Sequence, residues 1–215
     1  MKLSTYFRST AAYRVRIALN LKGIDYELVP VHLLRNGGEQ KSSAYLEKNP
    51  DGLIPALETE GRVLAQSMAI LEYLEETHPE PPLLPSGSLD RAYLRGLAQT
   101  IVSDIHPLNN LRILKYLKND LALTEDQKND WYRHWVATGF ESIEARLARD
   151  VNTGLCCFGD TPSIADVCLI PQVFNAVRFD CPMHEYPIIR RINEYCLGLD
   201  AFAKAAPNLQ PDAEH

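Results

Sequence analysis

No stretch of the chain stays apolar for the ~20 residues a bilayer-spanning helix needs, because Arg, Lys, Asp or Glu interrupts every candidate. A membrane partner is therefore not expected. Basic charge is also scarce: 22 Lys and Arg face 28 Asp and Glu, a formal net charge of −6, and no basic block interleaved with aromatics stands out. That argues against a nucleic-acid surface, and it means an anionic substrate needs a local basic pocket. The start, MKLSTYFRST, turns polar after a few residues and lacks the apolar run and cleavage site of a secretion signal, so the cytoplasm is the expected address. Cysteine is missing from the first half. Cys156, Cys157, Cys168, Cys181 and Cys196 make an odd count without C-x-x-C spacing, which speaks against a disulfide framework. The adjacent Cys156 and Cys157, in a strand-like LCCF segment, read as small buried hydrophobes. A Walker sequence, a G-x-G-x-x-G after a strand, H-E-x-x-H and zinc-like Cys/His spacing are all lacking, so nothing supports nucleotide or metal chemistry.

What is present is an ordinary globular balance. Hydrophobic residues at 46% can fill a sizeable core, and charged residues at 23% do not favour disorder. Lys2 to Tyr6 reads as a strand. Arg14 to Lys22 has helical spacing ended by Gly23, and Tyr26 to Val31 alternates as a second strand. Ser43 to Lys48 suits one or two helical turns, and Ala56 to Glu58 with Val63 to Ala65 flank a Glu60-Gly61 turn as a hairpin. Ser67 to Thr77 carries Ile70, Leu71 and Leu74 on one face, with Ser67 placed to accept from the first helical amides.

Pro79, Pro81, Pro82 and Pro85 then break the pattern, and beyond Leu89 strand signals nearly vanish. Amphipathic runs over Leu89 to Leu117, Thr124 to Arg149 and Ser163 to Val177 predict an all-helical domain. The expected division is an α/β domain over 1–80, a linker over 81–88 and a helical domain over 89–215, with a polar tail from Pro207 that lies on the surface or frays.

The segment with most chemical content is Phe7-Arg8-Ser9-Thr10-Ala11-Ala12-Tyr13-Arg14-Val15-Arg16, where the first strand turns into the first helix. Taken alone, Ser9 or Thr10 is a plain helix cap and the arginines are solvated helix decoration. Likewise His106 beside Pro107 is a satisfied polar group. Ser163 and Asp166 read as a capping box that starts a core helix.

The run FRSTAAYRVRIALNLKGIDYE resembles the signature of the zeta class of glutathione transferases, which includes maleylacetoacetate and maleylpyruvate isomerases. NPDGLIPAL, AQSMAILEYLEE, DIHPLNNLRIL, FGDTPSIADVCLIPQV and YPIIRRI resemble further family blocks in matching order. The resemblance covers nearly the whole chain. It implies the glutathione transferase fold: an α/β thioredoxin-like N-terminal domain followed by an all-α C-terminal domain. It also implies a homodimer, glutathione bound mainly by the N-terminal domain, and a small dicarboxylate bound between the domains.

Carried over residue by residue, the resemblance puts Ser9 and Thr10 at the glutathione sulfur and Gln40 at the peptide. Ile54 offers backbone hydrogen bonds beside a cis Pro55, and Gln66 and Ser67 hold the γ-glutamyl end. His106, Asn109 and Asn110 are implied contributors from the helical domain, and Arg8, Arg112 and Arg178 candidates for the substrate carboxylates. The implied activity is glutathione-dependent cis–trans isomerisation of maleylacetoacetate to fumarylacetoacetate in tyrosine and phenylalanine breakdown. Maleylpyruvate isomerisation, general transferase activity and a non-catalytic scaffold stand as alternatives. Two positions depart from the family pattern: Ala11 replaces a cysteine that several members carry, and Tyr13 stands where Trp is common.

Overall fold

The structure is a computed structural model that describes residues 1–214. It divides into two compact units, Met1–Leu83 together with the segment from Gly198 onward, and Leu84–Leu197.

The first unit begins with β1 (Lys2–Thr5), α1 (Thr10–Leu21) and β2 (Glu27–Pro30), followed by α2 (Ser43–Lys48), β3 (Ala56–Thr59), β4 (Arg62–Ala65) and α3 (Ser67–Thr77). The sheet runs β2-β1-β3-β4, with β1 parallel to β2 and β3 antiparallel to both its neighbours. Two parallel strands need a crossover, and α1 supplies it; the antiparallel pair needs only the tight Glu60–Gly61 turn. This βαβ followed by ββα is a thioredoxin-like arrangement.

Helix α1 begins earlier than its apolar spacing predicts. Ser9, in extended backbone, accepts from Ala12 N at 3.2 Å and opens the helix at Thr10. Gly23, with φ 63°, follows its last turn. Every residue from Thr10 to Leu19 is buried, Arg14 and Arg16 at 0% exposure. The expectation of solvated arginines is therefore wrong, because α3 packs on one side of α1 and α10 (Asp200–Ala205) on another. At its far end Lys22 Nζ pairs with Glu75 of α3 at 2.8 Å and donates to the carbonyls of His78 and Pro81, tying down the proline-rich segment.

In the second unit, α4 (Ser88–Gln99) continues through a π-helical stretch, Thr100–Ile105, into the short α5 (His106–Leu108). Asn109 leaves helical geometry and Asn110 caps α6 (Leu111–Asn119), so the single run expected over Leu89 to Leu117 is interrupted. Helices α7 (Glu125–Arg149) and α8 (Ile164–Arg178) each open on a capping box, Thr124 with Gln127 and Ser163 with Asp166, and α9 (Pro187–Leu197) packs against both. Leu94, Leu97, Ile101, Val136, Phe140, Ile143, Ile189 and Ile192 are core residues of this unit. Leu155–Phe158 is irregular rather than strand, though Cys156 and Cys157 are buried as expected. Among the described residues no helix is long and apolar enough to cross a membrane.

The C-terminal segment departs from the expected 89–215 domain. Helix α10 packs along α1, and the polar tail is anchored rather than frayed: Gln210 is buried and donates to the carbonyls of Lys204 and Ala206. Its polarity reflects specific hydrogen bonds that composition does not reveal.

Candidate active site

Strand register brings the candidate residues of the first unit to one end of the sheet. Ser4 of β1 pairs with Ala56 of β3, and Ala56 pairs in turn with Ala65 of β4. The segments just beyond these residues, Phe7–Thr10, Ile54–Pro55 and Gln66–Ser67, therefore emerge side by side. On the other side Thr5 pairs with Pro30, so the loop that leads to Gln40 leaves from the same end. Four sequence-distant segments meet because three strand pairings share that edge.

Ser9 N donates to Tyr6 O at 2.9 Å, closing a turn whose central residues are Phe7 and Arg8. Ser9 is partly exposed at the mouth of α1, whereas Thr10 is buried at 2% exposure. Of the two residues, Ser9 is the more accessible to solvent. Arg8 lies over the Phe7 ring, 4.7 Å from its centroid. The Ile54–Pro55 peptide is cis, and Ile54 is buried with Tyr6, Phe7, Val31 and Tyr45. Gln40 is buried, and its Oε1 has no partner among the described residues, a group left for something else to satisfy. Gly38, at φ 115°, has a backbone conformation that strains any other residue, and a Cβ there would also push the Gln40 amide aside.

At the start of α3 the expected cap is not formed. Ser67 is the first helical residue, and Gln66, the cap position with φ 68°, makes no side-chain cap hydrogen bond. The Ser67 hydroxyl instead accepts from Arg14 Nη1 at 3.2 Å. The reason is the left-handed backbone at Gln66, which shifts the helix start by one residue. The positive end of the α3 dipole lies beside Gln66 and Ser67, an arrangement suited to an anion.

The remaining candidates lie in the second unit. Asn109 is buried, donates to Tyr132 O at 3.3 Å and has an Oδ1 without a partner among the described residues. Asn110 accepts from Arg112 N as the α6 cap, and Arg112 is exposed. His106 is half-buried on α5. Tyr132 stacks on Phe179 at 3.6 Å, and exposed Arg178 lies 5.0 Å from the centre of that ring, so Asn109 and Arg178 are linked through one aromatic pair. Cys156, Asp166 and Cys196 also bring their ligand atoms within 4.8 Å of one another. There Asp166 accepts from Cys157 N, Ser163 N and Ser163 Oγ, which commits both of its oxygens to the start of α8.

Reasoning from sequence missed Arg14 and Arg16 as parts of this architecture. The signal was present: in AAYRVRIAL both arginines sit among apolar residues on every face, which a solvated position would not require.

A thioredoxin-like unit with a cis-proline, a hydroxyl at the first helix and a left-handed residue leading into α3, followed by a helical unit, defines the glutathione transferase class. Residues 3–82 match the family model of the glutathione S-transferase N-terminal domain. The chain is 50% identical over 208 residues to the probable maleylacetoacetate isomerase of Vibrio cholerae, covering 97% of this chain and 96% of that one. It is similar to the holo structure of maleylpyruvate isomerase, a bacterial zeta-class glutathione transferase, at TM-score 0.97, 46% identity and 100% of both chains. It is also similar to maleylacetoacetate isomerase from Methylobacterium extorquens AM1 with bound malonate and glutathione, at TM-score 0.95, 42% identity and 100% of both chains. This chain belongs to the zeta-class glutathione transferase family.

Proposed function

We propose that the protein is a glutathione-dependent cis–trans isomerase that converts maleylacetoacetate to fumarylacetoacetate. The observation that carries the proposal is the gathering of Ser9, Gln40, Ile54–Pro55 and Gln66–Ser67 at one sheet end. The fit to glutathione is chemical. The unsatisfied Gln40 Oε1 meets a peptide donor, the N-terminal end of α3 with Gln66 and Ser67 meets the γ-glutamyl carboxylate, and the partly exposed Ser9 meets the sulfur through its hydroxyl. Arg14 positions Ser67 through its hydrogen bond. His106, Asn109 and Asn110 are assigned supporting contacts from the helical unit.

Bound glutathione supplies a thiolate whose reversible addition to the conjugated double bond makes it single, allows rotation and ends in expulsion of the same sulfur. The protein's part is to favour the ionised sulfur and hold the substrate. A thiol of pKa about 8.5 lowered by about 2 units requires roughly 2.7 kcal/mol of preference for the anion. One hydrogen bond from Ser9 contributes about 1.5–3 kcal/mol and the α1 N-terminus about 0.3–1, so the two suffice. Ala11 supplies no protein thiol, and none is needed in this scheme. Arg8, Arg112 and Arg178 are assigned to the substrate carboxylates, which a chain of net charge −6 otherwise repels. The proposal includes a homodimer, checked by sedimentation, and a cytoplasmic address.

The likeness to maleylpyruvate isomerase over 100% of both chains favours maleylpyruvate as a second substrate. The decisive experiment follows the enol absorbance of maleylacetoacetate and of maleylpyruvate with purified protein, with and without glutathione. Glutathione-dependent loss is expected, and the faster acid is the preferred one. Conversion of neither, with glutathione still bound, would make the protein a general transferase.

A further inference from the structure

We propose that Asp212, in the C-terminal tail, is a positioning residue for the Ser9 hydroxyl; this rests on the role given to Ser9 above. The turn from Tyr6 to Ser9 delivers that hydroxyl, and its first central residue, Phe7, is gripped from both sides. Asp212 Oδ2 accepts from Phe7 N at 2.9 Å, across 205 positions of sequence. Arg16 Nη2 donates to Phe7 O at 3.2 Å, while its Nη1 donates to Thr5 Oγ1 at 2.9 Å and its Nε to Ala205 O at 3.1 Å. The two peptide groups flanking Phe7 are therefore fixed by groups outside the turn, one of them in the tail.

The tail itself is held on three further points. Gln210 is buried on the carbonyls of α10, and Ala213 packs against Tyr6, Phe7, Val31, Tyr45 and Ile54. Glu214 Oε1 bonds His32 Nε2 at 3.1 Å and Arg35 Nη2 at 2.7 Å. Ala213 thus touches the same apolar cluster that seats Ile54 before the cis-proline. A charge-assisted hydrogen bond on a buried amide is among the stronger restraints a protein has, and a turn of four residues has little other means of holding its central amide. Displacing Ser9 by a fraction of an ångström weakens its bond to the sulfur, an effect that appears in turnover more than in binding.

The test compares Asp212→Ala and Asp212→Asn with the full-length protein. Three quantities are measured: turnover and KM for glutathione, the pH at which the bound thiol ionises (followed by thiolate absorbance), and amide exchange of residues 5–12 in the ligand-free protein. Asp212→Ala is expected to lower kcat by about ten- to a hundredfold with little change in KM for glutathione. It should also raise the pH of thiol ionisation and speed exchange at Phe7. Asp212→Asn, which keeps an oxygen acceptor without the charge, should fall between. In a Ser9→Ala background the Asp212→Ala substitution should add nothing, because the group it displaces is already gone.

A folded Asp212→Ala protein whose bound thiol ionises as in the wild type overturns the inference, even if its melting temperature falls. Should the Ala protein not fold, wild-type ionisation and exchange in Asp212→Asn overturn it equally. A Ser9→Ala protein with wild-type turnover and ionisation rejects the underlying role of Ser9 instead, and faster exchange at Phe7 then still shows that Asp212 holds the turn.

Discussion

Ser9 and Thr10 are adjacent hydroxyls with different surroundings, and the difference supports the role proposed for Ser9. Thr10 lies inside the packed start of α1, while Ser9 accepts from Ala12 N and keeps an exposed edge. A hydroxyl that accepts from a backbone amide can still donate its own proton, so capping and sulfur binding are compatible. Ser9→Ala is expected to lower kcat more than it weakens glutathione binding, as steady-state kinetics beside calorimetric titration will check; unchanged turnover would move the role to Thr10. Arg178, exposed at the end of α8, has its guanidinium over the Phe179 ring and donates to Asn175 Oδ1, and the substrate-carboxylate role proposed for it rests on that exposed position. Arg178→Ala should raise KM for the dicarboxylate by about ten- to a hundredfold, the worth of one charge-assisted bond, and leave glutathione affinity intact. Equal loss of both would reject a substrate-specific role.

At the scale of elements, the helix starts carry the chemistry and the helix contacts carry the stability. Most of these starts were legible: Ser163 with Asp166 is the capping box expected from spacing, and Gly23 follows α1 as its composition implies. The start of α3 was not, because a left-handed backbone at Gln66 is a tertiary outcome that no propensity scale assigns to glutamine. The π-helical stretch Thr100–Ile105 was equally invisible. Its apolar residues read as ordinary helix, yet it packs against α7, where Gly139 faces Ile105. A Cβ at Gly139 would lie 2.3 Å from Ile105 Cδ1. Gly139→Ala is therefore expected to destabilise the protein by about 1–3 kcal/mol through overpacking, despite alanine's better helix propensity, and thermal unfolding measures it. A gain in stability would show that Ile105 moves aside without cost.

Over the whole molecule, the last described residues are fastened to the first strands. Hydrogen bonding to Arg35 above all holds the Glu214 carboxyl below its ordinary value; burial opposes it, and the hydrogen bond to His32 adds to the lowering. A depressed carboxylate stabilises the fold fully above its unfolded pKa, about 4.3, and loses that contribution as pH falls through the lower folded value. Comparing thermal unfolding of the wild type with Glu214→Gln should show a difference at neutral pH that vanishes under acid conditions. A difference that persists at low pH would mean that the tail is held by the Gln210 and Asp212 contacts alone.

Local chemistry determined much of this protein. The periodicity of apolar residues set the order of strands and helices, the prolines marked where the fold changes character, and the scarcity of cysteine and basic charge removed whole classes of function. The resemblance carried by FRSTAAYRVRIALNLKGIDYE and the further blocks implied the residues proposed to bind glutathione. Tertiary structure alone decided that Arg14 and Arg16 are interior, that Ser67 bonds an arginine rather than its own helix, and that the tail joins the first unit. The physical reason is common to the three. Each depends on a polar group finding its partner far along the chain, 53 positions away for Arg14 and Ser67 and 205 for Phe7 and Asp212. Propensity and spacing report only what neighbours in sequence do, and a buried polar group is specified by whatever the folded chain brings to it.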